Sequence, residues 1–200
     1  MSRLDRAFFE RYSPTVAREL LGFALVRKLE GERLSGTIVE TEAYRGRRDP
    51  ASHAYRGMTK RNEVMFGPAG HAYVYFTMGM HHCLNVTTEP AGTPAAVLIR
   101  ALEPVEGVEL MQRNRGVKDI HRLATGPGNL TKALGIGSEM NGEDMITSHT
   151  LFLEKGKPNS EVGISSRVGI SRGVSSKWRF FVRGNPSVSK GKPSATSQNP

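Results

Sequence analysis

Residues 36–44 read Gly-Thr-Ile-Val-Glu-Thr-Glu-Ala-Tyr. This β-rich run favours an extended strand. In an extended chain, residues i and i+2 share one face, so Glu40, Glu42 and Tyr44 fall on the same side. An arginine cluster follows, and then His53. A carboxylate can activate water, an aromatic ring can stack on a planar group, and nearby cations can hold phosphates. Together they fit a site for chemistry on a nucleic acid base. On pattern alone, a solvated strand face carrying surface acids fits as well.

Other segments limit what surrounds that strand. Ser13-Pro14 reads as a helix start, and the helix 14–21 stops at Gly22. Residues 23–29 and 34–41 read as a hairpin turning at Gly31-Glu32. Residues 45–70 are polar, basic and glycine-containing, a long loop of the kind that tends to be functional. Strands are expected at 72–78, 82–88 and 95–102, the first two joined by a turn at Met78-Gly79-Met80. Pro104 is expected to open a helix reaching about Asn114, and Gly126-Pro127 another that ends at Leu134 before Gly135. Short strands are expected at 151–154, 167–170 and 179–182. Strands outnumber helices and most connections are hairpin-like. The expected fold class is α+β, a single domain with a curved, largely antiparallel sheet flanked by helices. That domain spans 1–188, and 189–200 is expected to be a disordered basic tail.

Charge narrows the partners. The net charge is +9, and it is unevenly placed. Residues 155–200 hold nine lysines and arginines against one acid, Glu161, while residues 45–61 hold six against Asp49 alone. Two concentrated basic regions suggest an anionic polymer as partner. One cysteine, Cys83, excludes an intrachain disulfide framework. No apolar run is long enough to span a bilayer, and the first residues lack a signal-peptide core, so a cytoplasmic protein with no membrane partner is expected.

Several residues carry possible chemistry. Glu42, flanked by Ile38, Val39, Ala43 and Tyr44, is the candidate general base. Glu40 beside it leaves open a two-carboxylate arrangement like that of a carbohydrate hydrolase. Tyr44, Tyr75 and His53 are candidate walls for a flat ring. Arg100 interrupts an apolar strand and calls for a partner such as Glu42 or Glu103, unless it simply faces outward at a strand end. Met78, beside Gly79 at a hairpin tip, is a candidate apolar wedge. His81, His82 and Cys83 alternate faces on a strand and cannot easily share an ion, so no metal is expected. Gly126-Pro127-Gly128-Asn129 lacks a P-loop lysine, which argues against nucleotide hydrolysis.

The stretches GTIVETEAY (36–44), Ala51-Ser52-His53, RNEVMFGPAGHAYVYFTMGMHHCLNV (61–86), LIRALEP (98–104), TGPGNL (125–130), SSRVGI (165–170) and WRFFVRGNPSVS (178–189) occur in the order of a known family. The chain resembles the 3-methyladenine (alkyladenine) DNA glycosylases that lack a helix-hairpin-helix motif. The resemblance implies a monofunctional enzyme, acting as a monomer, without metal or cofactor. Its partner is double-stranded DNA containing damaged purines. It flips an alkylated or deaminated purine out of the duplex and hydrolyses the N-glycosidic bond, leaving an abasic site. Glu42 falls on the family's water-activating glutamate, and Arg100 on the arginine that helps hold the water and the nucleotide backbone. Tyr44, His53 and Tyr75 fall on the residues around the base, and Asn85 on the asparagine that helps exclude guanine. Met78 falls on the intercalating tyrosine and keeps an apolar wedge without the aromatic surface. Compared with that family, the N-terminus lacks the long basic extension of some animal members, so the resemblance implies a bacterial-type enzyme. A non-catalytic nucleic-acid-binding module on the same fold is the alternative.

Overall fold

A computed structural model of the chain describes residues 2–77, 79–158 and 161–190. Helix α1 is Arg6–Phe9, started by Asp5, whose carboxylate accepts the Phe8 amide. Helix α2, Ser13–Glu19, has Pro14 in its first turn, where no intrahelical N–H is needed. Strands β1 (Ala24–Leu29) and β2 (Glu32–Arg45) pair antiparallel. Their two-residue turn is Glu30-Gly31, both with positive φ (53° and 81°), one residue earlier than the expected Gly31-Glu32. That turn matches the twist of the strands it joins.

Strands β3 (Ala72–Thr77), β4 (His81–Thr87) and β5 (Ala95–Glu106) follow, then helices α3 (Val108–Arg115), α4 (Ile120–Leu123) and α5 (Pro127–Ala133). Strands β6 (Leu151–Glu154), β7 (Val162–Ser165) and β8 (Arg179–Val182) complete the sheet. Its main order is β3-β4-β5-β2-β1-β6, with β8 also on β2 and β7 on β8. Every pairing is antiparallel. The sheet is curved and the fold is α+β, as expected. Helix α2 packs on β2 and β5, α5 on β4 and β5, and α3 on α5. One large apolar core fills this side, and the Thr41 hydroxyl, donating to the Ala17 carbonyl at 2.7 Å, ties strand to helix.

Two expectations fail locally. Pro104 lies inside β5 rather than opening a helix, and α3 begins only after Gly107 (φ 70°). Pro104 pairs with Gly36 beside a register shift in β2, an irregular spot that tolerates a residue without N–H. Residues 167–170 are a loop, and the strand lies just before them at β7. Arg167 is turned inward there as a buried cation, which breaks the alternation of a strand. Ser189, the first residue of the expected tail, makes hydrogen bonds inside the protein, and residues 191–200 of that segment lie outside the described residues.

The feature that shapes the site is a pair of irregularities between β2 and β5. The register passes from Ile38↔Leu102 to Glu40↔Ala101 and then to Thr41↔Ile99, skipping Val39 on one strand and Arg100 on the other. Bulges of this kind re-aim side chains. Here they bring Arg100 against both Glu40 and Glu42 of β2.

Candidate active site

Strands β2 to β5 and the loop before β3 enclose a cavity of about 340 Å³. That volume lies within the roughly 300–1,000 Å³ of small-molecule sites. Tyr44, His53, Tyr75, Asn85 and Arg100 all line it, together with Tyr73, Cys83, Leu98 and residues 168–170 among others. Glu42 lies directly behind the wall and is fully buried. The Tyr44 hydroxyl donates to Glu42 Oε2 at 2.8 Å, the Val168 amide to Oε1 at 2.6 Å, and Arg100 Nη1 stands 3.4 Å from Oε2. The proposed base therefore meets the cavity through Tyr44 and Arg100. Met78 lies outside the described residues.

Glu40 is built differently. Its Oε1 accepts from Arg100 Nε (2.8 Å), Arg179 Nε (2.7 Å) and Ser189 Oγ (2.9 Å), and its Oε2 accepts the Ser189 amide (2.8 Å). Burial pushes its pKa up, but Arg100 and Arg179 outweigh that, and the carboxyl is held below its ordinary value. A carboxylate so saturated with donors is a poor proton donor. This speaks against an acid–base pair of the carbohydrate-hydrolase kind. Arg100 does not face outward at a strand end. It is 6% exposed and bridges the two glutamates.

One wall is aromatic. The His53 and Tyr75 rings meet edge-on with centroids 4.5 Å apart, and Tyr73 lies 5.3 Å from Tyr75. His53 Nδ1 is hydrogen-bonded to the Tyr73 hydroxyl at 2.8 Å. The other side of His53 is open, and Asn62 fixes its backbone by donating to the His53 and Gly57 carbonyls. Burial, and secondly the Arg61 cation, hold the imidazole below its ordinary pKa. Burial pushes the Tyr73 hydroxyl up to about 12 and raises Tyr44, Tyr75 and the Cys83 thiol as well. The aromatic wall is thus uncharged at neutral pH. Asn85 is buried, and its Nδ2 donates to the Tyr73 carbonyl at 3.0 Å, which fixes the amide.

Sequence reasoning did not reach Arg167, Asp49, Arg179 or Ser189 as parts of this site. Arg167 and Asp49 form a fully buried bidentate pair, and the guanidinium stacks 4.6 Å from the Tyr44 ring centre. Asp49 carried one signal, as the lone acid in an arginine-rich loop, and Arg179 another, as a cation in an apolar strand. Among the described residues no cluster of three or more His, Cys, Asp or Glu is placed to hold a metal ion. The His82 ring packs on Phe76, while Cys83 faces the cavity.

A family model for methylpurine-DNA glycosylase matches residues 7–186. Curated relatives provisionally named 3-methyladenine DNA glycosylases align along nearly their whole length. One from Carboxydothermus hydrogenoformans is 50% identical over 94% of this chain and 98% of its own. One from Chlorobaculum tepidum is 45% identical over 96% and 93%. One from Methanocella arvoryzae is 46% identical over 96% and 98%.

Proposed function

The chain belongs to the methylpurine-DNA glycosylase family, and we propose that it removes alkylated purines from duplex DNA by hydrolysing the N-glycosidic bond. The observation that carries the reading is the asymmetric pair of buried carboxylates behind an aromatic cavity. Glu40 is locked by four donors, while Glu42 is held by single donors on each oxygen next to a cavity-lining cation.

The cavity is a recess walled by strands and loops, so a base inside a duplex must swing out of the stack to enter it. It would lie against Tyr44 on one side and His53 and Tyr75 on the other. Asn85, fixed by its bond to the Tyr73 carbonyl, narrows the floor against the exocyclic amino group of guanine. Met78 serves as the apolar wedge that fills the vacated stack.

The step itself is simple. Water, held by Glu42 and Arg100, attacks the sugar carbon, and Glu42 takes its proton. The electrons of the breaking C–N bond go to the purine. An alkylated purine already carries positive charge and leaves neutral, so no acid is required. Deaminated purines belong to the same reading, with a slower step because the leaving base needs a proton. Tyr44, Tyr75 and Cys83 all hold theirs tightly. DNA is the partner, and the protein acts as a monomer.

Excision from duplexes carrying 3-methyladenine or hypoxanthine tests this. The wild type should release the free base, 3-methyladenine faster. Glu42→Gln should lower the single-turnover rate by about 10²- to 10⁴-fold, the range of a general base, with duplex binding retained. A wild type that binds duplex DNA yet releases neither base is a binding module, and the reading fails.

A further inference from the structure

We propose that Arg167, paired with Asp49, is a positioning residue for the water-activating carboxylate, a proposal that rests on the role given to Glu42 above. Arg167 is fully buried and lies on the loop between β7 and β8. Its Nη1 donates to the Ala43 carbonyl at 2.9 Å and to Asp49 Oδ2 at 2.5 Å. Its Nη2 donates to Asp49 Oδ1 at 2.7 Å and to the Gly173 carbonyl at 3.3 Å. A planar fork with two parallel bonds fixes direction as well as distance, which a lysine cannot do.

Three parts of the site hang on this pair. The next residue along the chain, Val168, sends its amide to Glu42 Oε1 at 2.6 Å. The guanidinium backs the Tyr44 ring at 4.6 Å, and the Tyr44 hydroxyl holds the other Glu42 oxygen. Asp49 also accepts the amides of Arg45 and Ala51, and so shapes the loop that leads to His53. Both hydrogen bonds that aim the Glu42 carboxylate thus come from groups in contact with, or next to, Arg167. No charge is left over, so the pair can be replaced as a unit.

The test compares Arg167→Lys, which keeps the charge and loses the fork, with the double replacement Arg167→Met and Asp49→Asn, which leaves no unpaired buried charge. Trp178 is the only tryptophan and lies 5.2 Å from the guanidinium, so its fluorescence reports the clamp and the folded state of each variant. In folded protein the single-turnover rate should fall by about 10- to 100-fold, the scale of a small misplacement of a reacting group. Binding of a duplex with an abasic-site analogue should stay within about two-fold of wild type. A rate per folded molecule equal to wild type overturns the proposal, and so do rate and binding that fall together. Hydrogen exchange at the Val168 amide gives a readout without turnover. It should be protected in the wild type and exposed in both variants, and unchanged protection also overturns the proposal. A wild type that excises nothing sinks the catalytic reading but leaves the exchange result to decide the clamp.

Discussion

Glu40 and Glu42 stand two residues apart on one strand, and both are fully buried. Their partners separate them. Glu40 belongs to Arg100, Arg179 and Ser189, and Glu42 to Tyr44 and Val168. Three carboxylates and three guanidiniums, counting Asp49 with Arg167, thus form the foundation of the cavity. Buried ion pairs are weak arguments for stability, so their concentration here fits a positioning role. His53 gives a prediction at this scale. Its imidazole is held below the ordinary value of 6.5, first by burial and then by Arg61. The unfolded chain therefore takes up this proton at higher pH than the folded one. The contribution to stability is complete above about 6.5 and is lost as pH falls toward the folded value. An NMR titration of the His53 ring should give a midpoint below 6.5, and Arg61→Gln should move it up. An unmoved midpoint would show that Arg61 does not act on the ring. The sequence made the chemical types at the site legible because Glu40, Glu42, Tyr44 and His53 are close along the chain. It singled out Glu42 as the candidate base but not the partners that set the two glutamates apart, because those arrive from residues 100, 168, 179 and 189 through the fold.

At the scale of elements, most strands were legible from their apolar β-rich runs, and the misses have local causes. Pro104 sits at a register shift and Arg167 turns inward; residues 189–190, read as tail, have few apolar groups to signal a role. The contribution of Ser189 is made by backbone and hydroxyl, which composition does not reveal. Ser189 supplies two of the four hydrogen bonds to Glu40 and also lies 3.4 Å from Arg100 Nη2. The C-terminal segment is therefore a latch behind the arginine that faces the cavity. Ser189→Ala removes one bond to a buried carboxylate, worth about 1.5–3 kcal/mol, and ending the chain at Val188 removes both. Urea unfolding should show the truncated chain less stable than Ser189→Ala, and both less stable than wild type. If the two are indistinguishable from wild type, the latch carries no weight. The paired irregularities between β2 and β5 are a second device that no pattern in either strand announces, since a bulge is a property of two strands together.

At the scale of the whole molecule, the +9 charge is a poor guide until the internal pairs are set aside. Arg100, Arg167 and Arg179 are buried against Glu40, Glu42 and Asp49, and Arg45 is paired with Glu89. These cations are not available to a polyanion. Arg47, Arg48, Arg56, Lys60 and Arg61 are exposed, and Arg61 reaches the aromatic wall, 5.3 Å from the Tyr75 ring centre. Under the proposed function, the loop beside the cavity mouth is the surface that meets DNA. Its cations should dominate affinity for undamaged duplex, because neutralising phosphates releases counterions. The logarithm of affinity should fall linearly with the logarithm of salt. Arg56→Gln or Lys60→Gln should each flatten that slope by up to about 0.9, the share of one phosphate, with the excision rate at saturating enzyme unchanged. Glu42→Gln should do the reverse, keeping the slope and losing the chemistry. The two sets of variants would then separate a solvent-facing electrostatic surface from a buried, charge-balanced catalytic foundation. If the loop substitutions leave the slope at its wild-type value, the DNA lies elsewhere on the protein, and the placement of the duplex over this cavity must be abandoned.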